Sequence, residues 1–144
     1  MAMKFKYKTL KRDARTLPVK EPSINVRLLG PKGPVFIVGL LDTGSDLCAI
    51  PKSLAEILGL KITGEKQPIS GLGQAEGAES SMEIEVSHGR ESHRLAVPVM
   101  IIYSPEGAVE PPVILGRSGF LDAFEITFNE RQSRITMKWL PPAR

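Results

Sequence analysis

The sequence predicts an all-β fold, closed and barrel-like, with one or two short helices. Three observations predict it. Apolar residues alternate with polar ones over several short runs, the period of a strand with one buried face. Clusters of glycine, proline and small polar residues separate these runs at short intervals. No amphipathic stretch is long enough for a major helix, and no internal repeat is present. Many short strands in one chain manage their edges by closing on themselves. At 144 residues, 42% hydrophobic and 24% charged, the chain suits one globular domain with a real core.

Met3-Lys4-Phe5-Lys6-Tyr7-Lys8 alternates apolar and basic residues and reads as an edge strand with a lysine-guarded outer face. Lys11 to Ser23, holding Pro18 and Pro22, reads as a connector, so residues 1–22 form a basic strand and linker and residues 23–144 the main domain. Ile24, Val26 and Leu28 alternate, Val35 to Leu41 is a nearly continuous apolar run, and Gly30-Pro31-Lys32-Gly33 between them makes a hairpin turn. Leu47 to Ile50 supplies another buried strand. Ser53 is expected to cap a short helix, with Glu56 completing a capping box and Gly59 near its stop.

Gln67 to Gly77 carries three glycines and little bulk, the composition of a mobile hairpin tip. Met82 to Val86 alternates, His88-Gly89-Arg90-Glu91 marks a turn, and Leu95, Val97 and Val99 alternate toward Ile102. Ser104 to Pro112 is a loop. Val113-Ile114-Leu115 is a short buried strand ending at Gly116, followed by a helical turn through Phe120, Leu121 and Phe124. Glu125 to Phe128 and Arg134 to Leu140 are the closing strands. Surface placement is expected for His88 and His93, and Met137 and Trp139 share a face of the last strand.

Charge is uneven. Residues 1–20 hold seven Lys/Arg against Asp13 alone, leaving twelve against fifteen acids in the remainder, so the net charge of +3 comes from the N-terminal segment. A solvated or edge-strand segment explains that tail better than a nucleic-acid or lipid contact, and no nucleic-acid partner is expected. Cys48, the single cysteine, excludes an intrachain disulfide and suits a packing role. No apolar run reaches the length of a membrane span and no signal-peptide core opens the chain, which makes a cytoplasmic location the default. Cys48, His88 and His93 offer no recognisable metal-ligand set.

The chemistry concentrates at Leu40-Leu41-Asp42-Thr43-Gly44-Ser45-Asp46. Asp42 stands between two apolar strands, the costliest expected setting among the four aspartates, and such carboxylates mark functional sites. This loop, the glycine-flanked Ile69-Ser70-Gly71-Leu72-Gly73-Gln74 and the late Ile114-Leu115-Gly116-Arg117 occur in the order and at the spacing of the retropepsins. The chain resembles these single-domain retroviral-type aspartic proteases over roughly residues 24–140. Read alone, Gly71-Leu72-Gly73 also suits a nucleotide loop, but strand alternation follows it where a dinucleotide fold needs a helix.

The resemblance implies an aspartic endopeptidase assembled as a homodimer, each chain contributing one Asp42 to a shared site with Thr43 and Gly44. Thr43 would reach across the two-fold axis, and Gly44 would let backbone approach the substrate. Asp46 would bind substrate backbone and pair with Arg117 near the dimer contact, the pair lying beside buried strands. Ser45 departs from the alanine common in retroviral enzymes; a hydroxyl donating to the ionised carboxylate would favour its charged form and give a more acidic optimum than Ser45→Ala.

Leu72 between Gly71 and Gly73 would be a flap tip, its closure in question because Gln74, Glu76 and Glu79 depart from retroviral flaps. Ile69, Leu72, Pro111, Pro112 and Ile114 would line apolar side-chain pockets, implying hydrophobic residues beside the cleaved bond. Trp139 would anchor interleaved chain ends, or serve as an ordinary core or surface aromatic. No cofactor or metal is implied. The alternative is a weak or inactive retropepsin-like domain serving as a dimerisation or peptide-binding module. A cleavable pro-segment around Thr16-Leu17-Pro18 is a further use for the tail.

Overall fold

The computed structural model describes residues 1–10, 17–69 and 75–142. Its strands are β1 (Met3–Lys6), β2 (Lys8–Leu10), β3 (Val19–Glu21), β4 (Ser23–Gly30), β5 (Gly33–Leu41) and β6 (Cys48–Pro51), then helix α1 (Lys52–Leu58). There follow β7 (Gln67–Pro68), β8 (Glu76–His88), β9 (Glu91–Tyr103), β10 (Val113–Leu115), a 3-10 turn at Leu121–Ala123, β11 (Phe124–Asn129) and β12 (Arg134–Trp139). The strand order β4-β5-β10-β6-β9-β8 closes through a β4–β8 pairing into a six-stranded barrel, with β7 appended to β8. The fold is all-β and closed, with one short helix, as the sequence predicts.

Alternation builds the barrel interior. In β8, Met82, Ile84 and Val86 are buried while Ser81, Glu83 and Ser87 face out, and across the β8–β9 hairpin they oppose Val97, Leu95 and His93. Ile24, Leu28, Ile50, Ile84, Val99, Ile101 and Leu115 join one core, each such side chain contributing about 1.5–3 kcal/mol by burial. The predicted hairpin of β4 and β5 forms, with Gly30 opposite Gly33 at its turn.

A second sheet, β1-β12-β11, puts Met3, Ile135 and Met137 into the same core. The expected edge strand β1 pairs Met3 with Met137 and Phe5 with Ile135. Strand β12 is central, flanked on both edges by strands of its own chain. The connector reading needs correction: Val19–Glu21 pairs with Lys8–Leu10 as a two-stranded sheet.

The capping box also needs correction. Strand β6 runs straight into α1, Pro51 occupies the N-cap with φ −69° and no side-chain cap bond, and Ser53 already lies inside the helix. Its Oγ instead donates to Glu110 Oε1 at 2.7 Å, and Glu56 lies 3.6 Å from Lys52 Nζ. The stop is as expected: Gly59 takes the left-handed conformation at φ 74° and its N–H bonds back into the last turn. Among the described residues no helix is long and apolar enough to cross a membrane.

Candidate active site

Strand β5 delivers Asp42 to the site. Leu41 is buried and its N–H donates to Pro22 O at 2.9 Å, while the Asp42 N–H donates to Leu115 O at 3.1 Å, extending the parallel β5–β10 pairing by one residue. The chain then turns on the Ser45 N–H to Asp42 O bond of 3.2 Å. The Gly44 N–H donates to Asp42 Oδ1 at 2.9 Å and fixes the carboxylate. Asp42 is half-buried, whereas Thr43 and Gly44 are exposed. Ser45 Oγ donates to Leu47 O at 2.7 Å. Its one proton is therefore used within the loop, which corrects the expectation of a bond to the Asp42 carboxylate: a local carbonyl two residues on competes for the hydroxyl.

The loop is held from beneath by the residues after β10. The Arg117 N–H donates to Ser45 O at 2.9 Å and the Ser118 N–H to Asp46 O at 2.8 Å. This close approach requires glycine at 116, where a Cβ would stand 2.2 Å from Leu47 O and 3.0 Å from Ser45 O. The Arg117 guanidinium meets Asp46 Oδ1, the pairing that the resemblance implies. The two side chains are 59% and 83% exposed, so the pair lies in solvent and not in the buried setting expected of it.

Asp42, Gly44, Ser45 and Asp46 line one end of a cleft of about 720 Å³. Its floor is a ladder across three strands, Ile114 opposite Ala49 and Ala49 opposite Met100. Pro111 and Pro112 also line it, as do Pro68 and Ile69 from the arm that β7 starts. That arm folds back onto β8 with Ile69 N–H donating to Ala75 O at 3.0 Å. The structure thus brings Asp42, Gly44, Ser45, Asp46, Ile69, Pro111, Pro112 and Ile114 to one cleft. Gly71, Leu72 and Gly73 lie outside the described residues.

Ala49, Met100, Ile102, Gln67 and Pro68 also line the cleft and were not singled out by sequence. Ala49 and Ile102 pack with Ala75, Ile69, Met100 and Ile114 as a small second cluster under the site. Unbroken apolar runs at 48–50 and 99–102 are the available signal, since strands buried on both faces lose their alternation.

Neither Arg117, which bonds Ser45 and Asp46 from behind, nor Trp139 lines the cleft. Trp139 stacks on His93 with ring centroids 4.3 Å apart and meets the edge of Phe124 at 5.5 Å. His93 is half-buried with Nε2 2.7 Å from Glu91 Oε2, which corrects its surface assignment: it opposes the buried Val86 and continues the covered face of β9 that Leu95 and Val97 begin, with Trp139 stacked over it. His88 is exposed as expected. Cys48 is fully buried and free, and burial pushes its thiol up from the usual range. Among the described residues no group of three or more His, Cys, Asp or Glu is placed to hold a metal ion.

The pattern of the retroviral aspartyl protease family matches residues 18–128. No curated protein sequence matches the chain. Among solved structures it is similar to a retropepsin-like aspartic protease from Rickettsia conorii, with TM-score 0.53 and 16% identity over 95% of this chain and 91% of that one. The retroviral protease-like domain of Ddi1 from Leishmania major gives TM-score 0.46 and 14% identity over 82% and 94%. The EIAV protease complexed with the inhibitor HBY-793 gives 0.40 and 22% over 75% and 88%. The Rickettsia likeness is one of fold, and the family match spans the Asp42 loop and Arg117 alike. The chain belongs to the retroviral aspartyl protease family.

Proposed function

We propose that this protein is an aspartic endopeptidase whose active site forms when two copies bring their Asp42 side chains together. The observation that carries the reading is the placement of Asp42: a half-buried carboxylate, oriented by the Gly44 N–H, at the end of a largely apolar cleft, with Thr43 and Gly44 exposed beside it. One chain holds one such carboxylate, and the chemistry needs two sharing one proton. Thr43 then contacts its counterpart across the axis, and Arg117 keeps Asp46 oriented near the contact.

In the first step the ionised Asp42 takes a proton from water as the water oxygen bonds the peptide carbonyl carbon, and the protonated Asp42 of the second copy gives its proton to the carbonyl oxygen. The tetrahedral diol then collapses. Its C–N bond breaks, the departing nitrogen takes the proton first removed from water, and a diol hydroxyl returns a proton to the second carboxylate. No covalent enzyme intermediate forms. The extended substrate lies between floor and flap, with hydrophobic side chains beside the cleaved bond resting on Ala49, Met100, Ile102 and Ile114.

The test is cleavage of an unfolded protein from about pH 3 to 7 at high enzyme concentration, wild type against Asp42→Asn. Loss of at least about 1,000-fold in the variant is expected. Absence of cutting by a wild-type protein shown to be dimeric overturns the reading in favour of a peptide-binding module.

A further inference from the structure

Resting on the protease reading, we infer that Lys66, seconded by Lys52, forms a subsite for an acidic side chain of the substrate, outward of the hydrophobic residues that flank the cleaved bond. A second hollow of about 460 Å³ adjoins the cleft. Ile102 lines both, and the linings continue through the neighbours Lys66-Gln67 and Glu110-Pro111. Two ammonium groups converge there on one ring: Lys66 Nζ lies 4.5 Å and Lys52 Nζ 5.4 Å from the centroid of Tyr103.

The charges around this ring are unequally matched. Glu56 lies 3.6 Å from Lys52 Nζ, and the Glu110 carboxylate accepts the Ser53 hydroxyl at 2.7 Å. Among the described residues Lys66 makes no ion pair. Its ammonium rests on the face of Tyr103, an arrangement that holds a cation in place by the ring quadrupole and leaves its N–H donors for an anion. A carboxylate entering beside Lys66 gains charge-assisted hydrogen bonds from its ammonium, and Lys52, on the same ring, adds a second positive charge nearby. A peptide lying along the cleft brings such a group within reach, because Lys66 directly precedes the β7 arm that lines the cleft. In a two-fold dimer each copy supplies one such hollow, so acidic preference appears at matching positions on both sides of the cleaved bond.

The experiment is cleavage-site profiling on a peptide library, wild type against Lys66→Glu, followed by paired peptides that differ only as Glu or Gln at the enriched position. Lys66 is exposed, so the variant keeps the fold. A Glu-over-Gln ratio in kcat/KM of about fivefold at low salt is expected, falling to one or below in Lys66→Glu and fading at high salt. Cleavage without acid enrichment, or with an enrichment unchanged in the variant, overturns the subsite and leaves the protease reading standing. If wild type cuts nothing, the protease reading fails by itself. Fluorescence anisotropy of labelled peptides with a central hydrophobic pair, carrying Glu or Gln at each outward position in turn, then decides the subsite: a Glu preference lost in Lys66→Glu supports it, and equal binding of every pair overturns it.

Discussion

Replacing Gly116 with alanine is expected to lower kcat/KM about 100-fold while leaving the protein folded. The added Cβ would stand 2.2 Å from Leu47 O and 2.4 Å from Leu47 C, against a practical minimum of 3.0 Å for real Cβ contacts. Both atoms are backbone, so no side-chain rotation relieves the clash, and β10 or the Asp42 loop must move by about 0.8 Å. β10 is held by β5 and β6 on its two edges. The loop is the freer partner, and its shift stretches the Arg117-to-Ser45 and Ser118-to-Asp46 bonds and carries Asp42 with it. Overpacking of this kind costs about 1–3 kcal/mol, within the margin of a stable domain. Urea unfolding gives the stability change, and kcat/KM at saturating dimer concentration gives the activity. Activity within twofold of wild type would refute the claim that Gly116 positions the loop.

Ser45→Ala is expected to cost about 1 kcal/mol in urea unfolding through loss of the bond to Leu47 O, with the pH profile of cleavage unmoved; an alkaline shift of that profile would put the hydroxyl on Asp42 after all. Arg117→Ala is expected to change stability by less than about 1 kcal/mol because its ion pair is exposed, while weakening dimerisation measured by sedimentation. The guanidinium of Arg27, with help from Arg94, holds the Glu85 carboxyl below the usual range. A lowered carboxylate value stabilises the fold above the unfolded-state value of about 4.3 and loses that contribution as pH falls through the folded-state value, so Glu85→Gln should flatten the acid limb of thermal stability against pH. An unchanged acid limb would mean that the ion pair does not couple to folding.

The strands were legible because their chemistry is local. Alternation in β8 and β9 and the turn formers at 30–33 and 88–91 read directly as hairpins, and the apolar run ending at Leu41 placed Asp42 between buried strands. What escaped depends on partners distant in sequence. Ser53 looked like a cap, but its acceptor is Glu110, 57 residues on. His93 reads as exposed because it sits near a turn, yet it is in phase with Leu95 and Val97 on the covered face of β9, and Trp139 and Phe124, far on in the chain, pack against it. The floor residues Ala49 and Met100 give no periodic signal because they join the small cluster under the cleft while their neighbours Cys48, Ile50, Val99 and Ile101 face the main core. The short strand Val19–Glu21 lay hidden between two prolines, since a three-residue ladder leaves too few positions for a pattern.

The central place of β12 separates two events that a shared terminal sheet would fuse. With β1 on one edge and β11 on the other, the last strand needs no neighbour from outside, and Trp139 already has its aromatic company. On the two-copy reading proposed above, a single copy would then be complete in fold and idle in chemistry. Activity would then answer to abundance: in the dilute regime, halving the amount of protein would remove about three quarters of the assembled sites. Such a molecule would be switched on by accumulating or by being gathered in one place, with no inhibitor needed to keep it quiet.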